Sequence, residues 1–360
     1  DFVAKARAGR RAAINVCIGC NQACLDNAFT GKLTTCMVNP GACREAEFGD
    51  VAGPIESKRV AVVGAGPAGL AAAVTCADRG HRVTLFEMSE RIGGQFNLAR
   101  RIPGKEDYAE TIGYYGARLS ELGVEVRLGT YARAQELLAA AYDHVILATG
   151  VEPRALDSIG MDDPRVLTYA QAIETPERAG DTVAILGAGG IGFDVAQLLA
   201  HPTGAGDPTS SDIEGFSRDW GIDTALAERG ALQQPPTSWP AARRITIIQR
   251  KPGSAFGAGL SKTRGWANMQ EVIRRGVATI GDVVYGHLAP EGLHVTVGGV
   301  PKLVAADTFV LCIGQEPQAE IVPSLAAKQV PFTVVGGARA AVGLDAVRAI
   351  EEGTRAALAI

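Results

Sequence analysis

The apolar positions of this chain gather in short solid blocks: VAVV at 60–63, VIL at 145–147, VAIL at 183–186 and FVL at 309–311. Blocks of this length, with charge before them and glycine after, read as strands buried in a parallel sheet. Two of them, at 60–63 and 183–186, run into a glycine turn and then into small apolar residues of helical length. Further strands are expected at 81–87 (HRVTLFE), 123–130, 142–150, 243–251, 277–282, 293–297 and 302–314, with an amphipathic helix over 106–122. The stretch 331–360 reads as strand, Gly336-Gly337 turn and closing helix. Strands alternating with helices predict an α/β fold.

The turns after the two blocks carry chemistry. Gly64, Gly66 and Gly69 form G-x-G-x-x-G, and Gly187, Gly189 and Gly192 repeat it. The first glycine makes the tight turn, the second admits a pyrophosphate to the backbone, and the third lets helix pack on strand. The helix start then offers N–H groups and a positive dipole end to phosphate. After the first motif, a second strand ends at Glu87, where a carboxylate meets a ribose hydroxyl. After the second motif no acid follows at that distance. A Gly/Pro-flanked insertion over 202–242 intervenes, and the next strand ends at Arg250, with Lys251 beside it. Two basic residues in place of the acid favour NADP(H) over NAD(H); a plain exposed strand end is the alternative.

Cysteine adds a third feature. Of seven cysteines, five lie between positions 17 and 43. Cys17, Cys20, Cys24 and Cys36 have the spacing C-x2-C-x3-C-x11-C. Four thiolates hold either zinc or an iron–sulfur cluster, and three bunched ligands with one remote favour the cluster; zinc, or cysteines that bind no metal, are the alternatives. Cys43 is left over, and Cys76 and Cys312 sit in apolar contexts. An odd count argues against a disulfide framework. The five histidines show no metal spacing.

Bulk properties narrow the class. A length of 360 residues suggests two or three domains. The net charge of −4, with scattered basic residues, gives no nucleic-acid footprint. No segment reads as a signal peptide, and the longest small-apolar run is broken by glycines and Pro67. A cytoplasmic protein that does not enter the membrane is expected. Asp1 rather than Met opens the chain, which reads as a start inside something longer.

Together the Cys17/Cys20/Cys24/Cys36 run, VGAGPAGLAAA, RIGGQFNLARRIPGK, ILATG, ILGAGGIGFD, WGID at 220–223, QRK and LDAVRAI resemble the bacterial NADPH-dependent 2,4-dienoyl-CoA reductases. CIGCNQACLD and GGQFN are its most specific segments. The resemblance covers nearly the whole chain and implies two Rossmann-like dinucleotide-binding domains of glutathione-reductase type behind an iron–sulfur loop segment. It implies a linker and 4Fe–4S segment at 1–56, an FAD domain at 57–154 and 307–360, and an NADP(H) domain at 155–306. The cluster would take the four cysteines above.

The implied cofactor contacts are Gly64, Ala65, Gly66, Pro67, Ala68, Gly69, Glu87, Gly94, Gln95, Lys105, Ala132, Ala148, Thr149 and Gly150. They continue with Gly187, Gly189, Gly190, Ile191, Gly192, Arg250 and Lys251, and then with Gly314, Gly337, Asp345 and Ala346. A helix start near Leu344–Ala346 would point its dipole at the flavin. The family carries FMN and its substrate-handling residues on a TIM barrel ahead of these segments, so no catalytic residue is placed here. Electrons would run from NADPH to FAD, to the cluster, to FMN on the barrel. The alternatives are the electron-input half of another barrel flavoenzyme, an amine dehydrogenase or enoate reductase, or a nucleotide-binding electron-transfer module without turnover.

Overall fold

The computed structural model describes residues 2–49, 56–201, 213–233, 241–253, 256–328 and 330–360. The chain divides into two compact units. The first comprises Asp1–Arg100, Asp107–Glu152 and Gln315–Ile360; the second comprises Arg101–Glu106 and Pro153–Gly314.

The first unit is built on a five-stranded sheet in the order Phe332–Val334, His144–Leu147, Arg59–Val63, Arg82–Phe86, Glu125–Arg127. Every neighbouring pair is parallel. The solid apolar block at 60–63 takes the centre, and Val60, Ala61 and Val62 are fully buried. Helix Pro67–Asp78 follows it, with Pro67 in the first turn, where its missing N–H costs nothing. The closing helix Ala346–Leu358 packs on that helix through Gly353. A Cβ on Gly353 would lie 2.0 Å from the carbonyl oxygen of Ala68. Gly353→Ala is therefore expected to lower stability by about 1–3 kcal/mol, the scale of overpacking a tight contact. Denaturant melting at unchanged m-value checks it.

The cysteine-rich segment does not stand apart. Ile18, Cys20, Met37 and Val38 join the core of the first unit with Val60, Leu70 and Ile350. Residues 44–48 are pinned to the closing helix. Arg44 Nη2 donates to Glu351 at 3.0 Å and Arg355 Nη2 to Glu47 at 2.6 Å. The Phe48 ring lies beneath both Arg44 and Arg355. Arg44, then Arg355, holds the Glu47 carboxyl down at about 2. Its pairing favours the folded state above the ordinary carboxylate range and is lost only as pH falls towards that value.

The second unit repeats the plan: a parallel sheet in the order Val166–Thr168, Thr308–Leu311, Thr182–Leu186, Arg244–Ile248, Ala278–Ile280. A three-stranded antiparallel meander, Val283–Ala289, Gly292–Val297 and Val300–Val304, shares its core. The expected single strand over 302–314 is two strands in two sheets. Asp307 breaks it, because its Oδ2 accepts from the Thr182 N–H at 2.9 Å and the Thr182 hydroxyl at 2.5 Å. Of the insertion expected at 202–242, residues 202–212 and 234–240 lie outside the described residues. The middle forms helix Ile213–Trp220 and a bridge between Ile222 and Leu232. No helix among the described residues is long and apolar enough to cross a membrane.

Candidate functional site

In the first unit, the strand Arg59–Val63 delivers the chain to Gly64, whose φ is +101° and whose N–H donates to Phe86 O at 2.8 Å. That bond ties the turn to the neighbouring strand. A Cβ on Gly64 would lie 2.4 Å from Ala148 O, and one on Gly69 would lie 1.8 Å from Gly64 O. Both positions are closed to any side chain by backbone. Gly66 differs. The nearest atom a Cβ there would meet is Gly94 Cα, at 3.9 Å. The turn at Gly93-Gly94 lies against it, with Gly93 N–H donating to Ala65 O at 2.8 Å. Asn97 braces this turn by donating to Ile92 O at 2.8 Å. Helix-end N–H groups, a second glycine with room in front of it and a second glycine turn opposite make a cradle that fits a pyrophosphate.

Glu87 is buried and reaches this turn: Oε2 accepts from the Ala65 N–H at 2.7 Å, and Oε1 accepts from the Ser89 N–H and hydroxyl at 2.9 and 2.8 Å. Strand His144–Leu147 runs into Ala148, whose N–H donates to Val63 O at 2.8 Å. Thr149 donates its hydroxyl to Gln318 O, and Gly150 turns with φ +79°. Gly337 lies against it, since a Cβ there would sit 2.9 Å from Gly150 C. The structure thus brings residues 64–69, Glu87, Gly94, 148–150 and Gly337 into one unit. Gln95 is the exposed residue after the turn. Ala132 belongs to the core with Phe86 and Leu147. Asp345 caps the closing helix: its Oδ1 accepts from Arg348 N–H at 2.8 Å, and Ala346 is the first helical residue. Two braces here have no local sequence signal. Glu352 accepts from Gly336 N–H at 2.7 Å, and Arg348 Nη1 donates to Val342 O at 2.6 Å.

The second unit has the same construction. Gly187 has φ +113°, its N–H donates to Ile248 O at 2.7 Å, and a Cβ there would lie 2.2 Å from Cys312 O. A Cβ on Gly192 would lie 2.0 Å from Gly187 O. Gly189 and Gly190 have nothing within 4 Å of such a Cβ, and helix Gly190–Ala200 carries Ile191 in its first turn. Arg250 and Lys251 are exposed just past the strand that pairs with the motif strand. Gln249 is buried beneath them and donates to Pro252 O at 2.8 Å. Tyr285 donates to Ile248 O at 3.2 Å, and burial pushes its hydroxyl up to about 12.

Two expected contacts fall in this unit. Lys105 Nζ lies 2.6 Å from both carboxylate oxygens of Asp194, on the helix after the second motif. Gly314 lies beside Arg154, whose N–H donates to Gly314 O at 3.1 Å.

All four cysteines of the N-terminal run are free thiols; Cys17 is exposed, Cys20 buried, and Cys24 and Cys36 partly buried. Burial above all pushes the Cys20 thiol up, and Cys36, Cys24 and Cys17 act on it in the same direction. The four therefore share one electrostatic neighbourhood. No group of three or more His, Cys, Asp or Glu side chains among the described residues is set to hold a metal ion. The donors fit thiolate chemistry in number and kind.

Residues 58–338 match the profile of the pyridine nucleotide-disulphide oxidoreductase family. The metal reductase of Desulforamulus reducens is 30% identical over 345 residues, 93% of this chain and 49% of that protein. The NADH oxidase of Thermoanaerobacter brockii is 31% identical over 344 residues, 94% of this chain and 47% of that one. A solved 2-naphthoyl-CoA reductase in complex with 2-naphthoyl-CoA superposes with a TM-score of 0.81 at 25% identity, over 99% of this chain and 48% of its own. The chain spans about half the length of the curated relatives it matches. With a Rossmann-type glycine cradle in each unit and a family match over most of its length, the chain belongs to the pyridine nucleotide-disulphide oxidoreductase family, as a flavoprotein reductase module of the kind that carries FAD and uses NAD(P)H.

Proposed function

We propose that the chain is the NADPH-oxidising module of a longer enzyme of the 2,4-dienoyl-CoA reductase type. Its other part would be a TIM barrel carrying FMN. Residues 64–69, Glu87, Gly94, Gln95 and 148–150 would hold FAD. Residues 187–192, with Arg250 and Lys251, would hold NADPH, and Cys17, Cys20, Cys24 and Cys36 a 4Fe–4S cluster. When bound, these groups supply hydride uptake and one-electron passage towards the barrel.

The chain's own work is placement. Helix starts face the pyrophosphates, glycines admit them, and a basic pair meets the 2′-phosphate. No acid–base pair is required of it, since hydride transfer between stacked rings needs alignment first. The observation that carries the reading is the repeated glycine cradle, followed in the second unit by Arg250-Lys251 and not by an acid. Likeness to a reductase whose solved complex holds an acyl-CoA supports a thioester substrate for the whole enzyme.

The anaerobically purified chain is expected to show flavin bands over a broad iron–sulfur absorbance, and NADPH is expected to bleach them. Failure to bleach overturns the reading. The chain alone is expected to leave 2,4-dienoyl-CoA unreduced. Arg250→Ala removes charge-assisted bonds of about 1.5–3 kcal/mol. It is expected to weaken NADPH about 10- to 100-fold while leaving NADH unchanged. Equal loss for both nucleotides, in stopped-flow bleaching, removes Arg250 from the 2′-phosphate.

A further inference from the structure

The first unit holds a cavity of about 450 Å³ that the nucleotide cradle does not use. Its lining includes Arg59, Arg82, Arg127, Glu125, Tyr142 and His81. Arg59 opens the strand whose far end leads to Gly64, and Arg82 opens the strand whose far end leads to Glu87. The two arginines are therefore separated from the cradle by a strand length of about 16 Å.

Arg59 and Arg82 are register partners on adjacent parallel strands. Like charges placed side by side on a sheet destabilise it. Arg59 is held over the Tyr142 ring at 5.4 Å, which fixes the guanidinium without neutralising it. Among the described residues, the Arg82 guanidinium makes no hydrogen bond or ion pair. The acids nearby are committed. Glu125 accepts from Arg127 at 2.9 and 2.7 Å and from Thr84 at 3.0 Å, and Asp143 accepts from the Arg59 backbone N–H at 2.7 Å. Three arginines thus face one glutamate in the lining.

His81 adds a donor. It is 5% exposed, its Nδ1 accepts from Lys58 N–H at 3.1 Å, and its Nε2 has no hydrogen-bond partner among the described residues. Burial first, then the charges of Arg79 and Lys58, lowers the pKa of the ring.

We infer that this cavity binds a small organic dianion, a phosphate monoester or a dicarboxylate, between the guanidinium groups of Arg59 and Arg82. Guanidinium forks match both head groups, and the volume lies in the range of small-molecule sites.

The test is calorimetric titration of the FAD-loaded full chain with inorganic phosphate and, separately, with succinate at fixed ionic strength. Arg250→Ala serves as background, to silence the nucleotide-phosphate site. One saturable site per chain is expected for at least one probe. Phosphate alone saturating identifies a phosphate ester; succinate alone identifies a dicarboxylate. Arg82→Gln is expected to weaken binding at least about tenfold, and Arg82→Lys to restore part of it. NADPH bleaching is expected to stay unchanged in both, and the melting temperature is expected not to fall. Saturation by neither probe, or equal affinity in Arg82→Gln, overturns the inference. So does binding in the wild type that disappears with Arg250→Ala alone.

Discussion

Gly69→Ala is expected to yield a chain that no longer retains flavin, and Gly192→Ala a chain that keeps its flavin but is not reduced by NADPH. A Cβ at either position would sit 1.8 or 2.0 Å from the carbonyl oxygen of the first glycine of its own motif. Neither neighbour is a flexible side-chain end, so the helix must lift off the strand. The helix start then loses its aim at the pyrophosphate. An overpacking cost of about 3 kcal/mol corresponds to roughly 100-fold weaker binding. Because each glycine belongs to its own unit, the two losses are expected to separate. Flavin content per chain and stopped-flow bleaching read them independently. Gly189→Val is the control for folding: a Cβ there meets nothing within 4 Å. Its melting temperature is expected to match the wild type while NADPH reduction falls. A Gly189→Val chain reduced at the wild-type rate would show that the second motif does not face the nucleotide.

The two glycine motifs were legible in the sequence because everything they need is local. A strand, a turn with positive φ and a helix start all fall within about ten residues, a span over which the motif's spacing dictates the geometry. The place of Glu87 at the end of the next strand was legible for a related reason, since that strand pairs in parallel with the motif strand, but its bond to the Ala65 N–H of the turn was not.

What could not be read depends on partners far away in the chain. Lys105 lies in a stretch that runs on from the first glycine turn, yet its partner Asp194 stands 89 residues on and draws residues 101–106 into the second unit. Nothing between Ala305 and Asp307 has the glycine or proline of a turn. The strand break there comes from Thr182, 125 residues earlier. The region after Cys36 reads as connector by its prolines and glycines, but Met37 and Val38 are core residues of the first unit. The arginines at 44 and 355 hold it there through glutamates more than 300 residues distant. Local pattern determines elements; tertiary pairing decides which ends of them meet.

Cys24→Ser or Cys36→Ser is expected to remove bound iron and the broad absorbance while leaving the flavin and its bleaching by NADPH intact. The thiols at 17, 24 and 36 act together on Cys20, whose own thiol is raised chiefly by burial. Binding iron would therefore have to draw a proton off the buried Cys20 thiol, which resists losing it. Loading is expected to fail when one of the four donors is weakened to a hydroxyl. Ser keeps the volume and the partial burial of Cys24 and Cys36, so the core formed by Ile18, Met37 and Val38 stays packed. Cys43→Ser is the counter-case: Cys43 is exposed on a turn with φ +60°. Iron content, at about four atoms per chain for a cubane on four thiolates, is expected to be unchanged in that variant. Iron lost with Cys43→Ser and kept with Cys24→Ser would reassign the ligand set. Zinc in place of iron in the wild-type chain would remove the cluster, leaving a thiolate site that stiffens residues 17–36 without carrying electrons.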